Sequence, residues 1–218
     1  MSQPRKRKLD LIELSYKITE LVFLSFLTFV FSIPIVTLGA SVTAMHYVLL
    51  KIYRDEEGKI FPAFWQSFKG NFRQSTVIWL IALALELFIV WDVWLIYAGS
   101  FHTTKFVFWL LVIFFCLILM ILNWALIMQS RYVNTVGTTL RNAGKMTLMH
   151  PGKSLMMLLL TVAPVILPIL NATTFAFIVV LGVSLFGFAQ TVLYSPMFIK
   201  LEAAALPDDG GEEEDSAE

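Results

Sequence analysis

Cysteine is nearly absent. Cys116 is the only one in 218 residues, and it sits inside an apolar run. A lone thiol excludes a disulfide framework and a cysteine-based metal site. The patterns G-x-S-x-G, H-E-x-x-H and the P-loop are missing as well, as is any Cys/His cluster. The residues therefore offer no catalytic, metal or cofactor site, and the expectation is a protein without enzymatic activity. Charged residues are few, at 15%, and their formal balance of zero hides an asymmetry. Asp208, Asp209, Glu212, Glu213, Glu214, Asp215 and Glu218 crowd the C-terminus, which leaves sixteen bases facing nine acids in the rest of the chain. Residues 207–218 read as a disordered acidic tail, too polar to offset their ordering entropy by burial.

What remains is apolar. Hydrophobic residues make up 58% of the chain, with 19 Phe and 6 Trp, against roughly 45–50% in a soluble domain. Runs near the ~20 residues needed to cross a bilayer core place spans at about 14–36, 77–97, 106–128, 154–170 and 175–194. The expected fold is all-α: a polytopic helical membrane protein of about six transmembrane helices. Nucleic acid is not an expected partner; membrane lipid is.

The sixth span, 37–53, follows from charge. Five bases lie before or at the start of the first span (Arg5, Lys6, Arg7, Lys8, Lys17), and five more fall between Lys51 and Arg73. Short basic loops favour the cytoplasmic side, so the chain must return between these clusters. With that return, only Lys105 lies outside and both termini are cytoplasmic. A helix from Ser41 to Tyr53 rises only about 20 Å, so "IPIVTLGAS" is expected as non-helical backbone at membrane depth, buried in the bundle. Thr37 and Ser41 suit helix N-caps. Gly39 with Thr43, and Ala40 with Ala44, give the small-residue spacing that admits a close neighbouring helix.

Phe61, Phe64, Trp65, Phe68 and Phe72 recur at helical spacing, with Lys69 and Arg73 among the polar residues opposite. This pattern predicts an interfacial amphipathic helix, whose Phe row either meets a partner or lipid or packs beneath the bundle. Arg131–Lys153 holds four bases and no acid; Arg141 and Lys145 there suit anionic headgroups or a partner's acidic surface. Ionisable groups inside spans are costly and mark candidate sites. Glu86 lies mid-span, Asp92 lies nearer the outer end, and His46 sits in the hairpin, while Asn123 and Gln190 are polar residues of later spans. A Glu86–His46 pair would suit proton relay or a small transporter. The alternative is interhelical hydrogen bonding, with Glu86 protonated or paired to Asn123, Gln190 or His46.

The stretch Pro34–Ile81 combines a Thr-Leu-Gly-Ala-Ser turn, a Lys-x-x-Arg-Asp-Glu-Glu-Gly run and a Ser-Phe-Lys-x-Asn-Phe-x-Gln-Ser-Thr helix before a Trp-bearing span. It resembles the signature region of the YesL family, also called DUF624, and "RYVNTVGTTLRNAGKMTLMHPGKSLMMLLL" is similar to that family's second basic loop. The resemblance implies a bacterial cytoplasmic-membrane protein of unassigned activity. It also implies an accessory role in carbohydrate utilisation, with an ABC importer subunit as the expected partner. It supplies no catalytic residues.

Overall fold

The computed structural model describes residues 11–56, 58–98, 105–132 and 134–205. The acidic stretch 207–218 and the basic start Arg5–Lys8 lie outside them. The elements are α1 (Leu11–Ser32), α2 (Leu38–Tyr53), α3 (Ile60–Tyr97), α4 (Lys105–Arg131), α5 (Val136–Met149), α6 (Pro151–Leu170), α7 (Ala172–Phe177) and α8 (Val183–Ala205). A single 3-10 turn, Ile35–Thr37, precedes α2, and a π turn, Ile178–Gly182, joins α7 to α8. No strand occurs among the described residues. Five segments are long and apolar enough to cross a membrane, and Val183–Ile199 is a shorter apolar helix. The protein is a polytopic all-α membrane protein.

The Phe-lined segment is not a separate interfacial element. It forms the first turns of α3, which runs 38 residues without interruption. Between Phe72 and Val77 the sequence has neither Pro nor Gly to stop the helix. At 1.5 Å per residue α3 is about 57 Å long, well beyond a hydrocarbon core of about 30 Å. Its first half is packed. Phe64 and Phe68 are buried with Leu24, Ala44 and Leu49 in one core, and the Phe31 ring of α1 meets both at 5.4 and 5.1 Å. The row therefore divides: Phe64 and Phe68 are interior and present no surface to a partner, while Phe61 and Phe72 are exposed.

A second core joins the far side of α2 and the middle of α3 to α4, α5, α6 and α8, around Trp124, Ile127, Tyr194 and Phe198. Ala143 of α5 is buried in it, with Val136 and Leu140 packed alongside. Thr135 caps α5 by accepting from the Thr138 N–H, and Pro151 opens α6 as well as following α5.

The α1–α2 hairpin departs from expectation in three ways. First, α2 begins at Leu38 rather than Ser41, whose hydroxyl donates instead to the Thr28 carbonyl at 2.9 Å. Second, Thr37 occupies the N-cap position but does not cap. Its hydroxyl donates back to the Phe31 and Pro34 carbonyls, and its backbone is already helical. Third, the turn is not buried, since Ile33, Ile35 and Val36 are exposed. Its backbone is nevertheless provided for, because the Trp79 indole donates to the Ile35 carbonyl at 2.8 Å. The small residues behave as expected. A Cβ on Gly39 would stand 2.5 Å from the Trp79 Cβ and 2.6 Å from the Ser75 carbonyl oxygen, so only glycine fits this crossing.

At the other end of α2 the Arg-Asp-Glu run closes the helix. Asp55 takes φ of 52°, its N–H donates to the Ile52 carbonyl, and the Glu56 N–H donates to Lys51. These two bonds form a Schellman motif, and aspartate is among the few non-glycine residues that tolerate its left-handed position. Arg54 is thereby turned toward α8, and Asp55 toward Lys17 of α1 at 3.0 Å.

Candidate functional site

The five polar candidates inside the bundle do not form one site. Asn123 and Gln190 come together through a residue the sequence reading passed over. Thr161 of α6 donates to the Asn123 Oδ1 at 2.8 Å, and Gln190 Nε2 donates to the Thr161 Oγ1 at 2.7 Å and to the Met157 carbonyl at 3.0 Å. This relay ties α4, α6 and α8. Such bonds hold membrane helices in register at about 1 kcal/mol each. The available signal was a hydroxyl in the middle of an apolar stretch, "LLLTVAP".

Glu86 joins neither that relay nor His46. Gly39 lies against Trp79, and α2 and α3 run antiparallel across their short connection. His46 and Glu86 are each seven residues from that contact, in opposite directions, or about 10 Å of rise apiece. Each is left with an unpaired buried atom: His46 Nδ1 and Glu86 Oε1 have no hydrogen-bond partner among the described residues. The His46 ring meets the Tyr194 ring edge-on at 5.9 Å. Glu86 shares a face of α3 with the buried Ile78, Ala82 and Ile89, and Ala82 packs in the core with residues of α4. Asp92 lies farther along α3 and is half-buried, between the exposed Trp91 and Trp94.

The densest electrostatic arrangement gathers where α2, α4 and α8 end. Glu202 accepts from Arg54 Nη2 at 3.1 Å and from Arg131 Nε at 2.8 Å. The hydrogen bond from Arg131, with the charges of Arg131 and Arg54, holds the Glu202 carboxyl below its ordinary range. One acid thus pins three helix ends. Nearby, Gln129 donates to Gln74 and accepts from Thr139 at 3.1 Å, joining α3, α4 and α5. Glu202 was foreseeable only as an acid placed just past the last apolar run. Among the described residues, no group of His, Cys, Asp and Glu is arranged to hold a metal ion.

Residues 18–93 match the DUF624 family model, described as a protein of unknown function. The match supports assigning the chain to the DUF624 family. It spans most of α1, the hairpin, the Schellman turn and nearly all of α3, including His46, Glu86 and Asp92. Asn123, Gln190 and the α5 region lie outside the DUF624 match, so the likeness of the second basic loop rests on the sequence resemblance alone. No curated protein and no solved structure matches the chain.

Proposed function

We propose that this protein is a non-enzymatic accessory component of a membrane assembly, engaged through the outer half of α3, and that the assembly is a carbohydrate importer. The observation that carries the reading is Glu86. Its Oε1 is buried without a hydrogen-bond partner among the described residues, on a stretch of α3 where Leu85, Leu87, Phe88 and Trp91 are exposed. An unsatisfied buried acceptor costs about 1–3 kcal/mol. The Glu86 side chain is only half-buried, so turning its carboxyl from the α4 side toward the exposed stretch would let a donor on a partner's transmembrane helix offset that cost, as polar side chains do between membrane helices. The importer as partner is supported by the family resemblance. Lys17, Lys51, Arg54 and Arg131 cluster at ion pairs near the same helix ends, which supports a cytoplasmic placement of that end and of both termini in the cell membrane.

The test is a photo-crosslinking residue at Leu87 in the full chain, followed by purification from the native membrane and mass spectrometry. The expected product is a single importer subunit, lost in Glu86→Leu. Adducts with lipid alone would reject the reading.

A second reading, a small transporter, is favoured by the unpaired His46 Nδ1 together with Glu86 Oε1. Because these atoms lie on opposite sides of the Gly39–Trp79 contact, a solute would meet them in succession rather than at one site. Reconstituted flux that is abolished by Glu86→Gln supports this reading, and flux unchanged in that variant removes Glu86 from the mechanism.

A further inference from the structure

The surface around α5 holds a cleft with two lobes. One, of about 460 Å³, is lined by Met128, Tyr132, Asn134, Met146, Met149 and Glu202. The other, of about 470 Å³, is lined by Thr135, Gly137, Thr138 and Arg141. Asn142 and Lys145 line both, so the lobes adjoin across these two side chains.

Their chemistry differs. The second lobe has no carboxylate in its wall and two exposed bases, Arg141 and Lys145, neither of them in an ion pair among the described residues. The first lobe is floored by three methionines, and its one carboxylate, Glu202, already answers Arg54 and Arg131. At the methionine end, Leu148 and Met149 are 76% and 70% exposed, immediately before α6 begins its apolar run at Pro151. A basic polar compartment therefore opens beside an apolar one, where the chain enters the membrane. Guanidinium and ammonium groups bind phosphate through charge-assisted hydrogen bonds, and flexible methionines adapt to alkyl chains.

We infer that this cleft binds the phosphate headgroup of an anionic phospholipid. Arg141 and Lys145 hold the phosphate, Asn142 supplies an amide donor beside them, and the first acyl carbons lie against Met146 and Met149. The inference is independent of the partner reading, because lipid retention is measured on the purified chain.

The experiment reconstitutes the full chain in nanodiscs of phosphatidylcholine mixed with phosphatidylglycerol. Retained lipid is counted by native mass spectrometry, and Tm is measured with and without the anionic component. The wild type is expected to retain phosphatidylglycerol preferentially. Arg141→Gln combined with Lys145→Gln lowers that retention about tenfold or more. Lys69→Gln removes a base that instead stacks on Trp65 at 4.6 Å, and retains lipid like the wild type. Equal retention by the double variant overturns the site. Glycerol phosphate in solution tests the headgroup alone: if it raises Tm as much as the lipid does, the phosphate assignment stands and the lipid assignment falls. Should the double variant not fold, each single variant carries the same prediction with a smaller loss.

Discussion

The helix α2 and the second half of α3 are both apolar, yet they meet opposite environments. Ten of the sixteen residues of α2 are buried, among them Gly39, Ala40, Ser41, Thr43 and Ala44. Beyond Trp79, α3 buries only Ala82 and Ile89, and exposes Leu, Phe and Trp side chains along its length. Inside a bilayer, lipid tails are as apolar as leucine, so hydrophobicity does not decide which face is interior. Side-chain size and hydroxyl content do. Small residues let α2 sit against the backbone of α3, whereas large ones hold neighbours away and leave lipid to fill the space.

The most damaging way to break this contrast is Gly39→Leu. The added Cβ alone would stand 2.5 Å from the Trp79 Cβ and 2.6 Å from the Ser75 carbonyl oxygen, and the loss is expected at about 3 kcal/mol, read as a collapse of Tm in detergent. Glu202→Gln comes next, since it leaves Arg54 and Arg131 without their shared anion at a partly exposed site; the expected cost is about 1–2 kcal/mol. The same carboxyl gives a pH signature. Its folded-state pKa lies below the ordinary 4.5, so its contribution is fully present above that value and is lost as pH falls through the lower, folded one. Wild-type Tm should drop over that acidic window more steeply than that of Glu202→Gln. Gln190→Leu removes the relay between α6 and α8 for about 1 kcal/mol, measurable in the same melts. Leu87→Ala, on the exposed half of α3, should change Tm least, by less than about 0.5 kcal/mol. A large loss there would mean that this half of the helix is packed after all, and the contrast would fail.

The helical class, the presence of several helices long and apolar enough to cross a membrane and the close approach at Gly39 were legible, because helix length, absence of charge and small-residue spacing are local properties. The boundaries of α2 were not. Thr37 and Ser41 look like caps in sequence, but hydroxyls in an apolar setting satisfy whichever carbonyl is near, and here those belong to α1. The fate of the Phe row was open for a related reason: periodicity finds a face but not what covers it, and Phe31, from another helix, covers Phe64 and Phe68. Pairings across the bundle were hardest to see. Thr161 between Asn123 and Gln190, and Glu202 between two arginines, depend on which helices are neighbours. The imagined Glu86–His46 pair failed on the same point, since adjacency of helices did not bring the two residues to the same depth.

The unbroken length of α3 has a mechanical consequence. From Trp79 to Tyr97 it extends about 27 Å beyond the point where the hairpin grips it, with no proline to act as a joint. A stiff rod packed along its first half and held more lightly beyond it behaves as a lever. Tilting its free end by ten degrees would sweep that end through about 5 Å and turn the gripped end the opposite way, against Gly39 and the aromatic rings of Phe31, Phe64 and Phe68. Whatever leans on Leu87 is felt at Gly39.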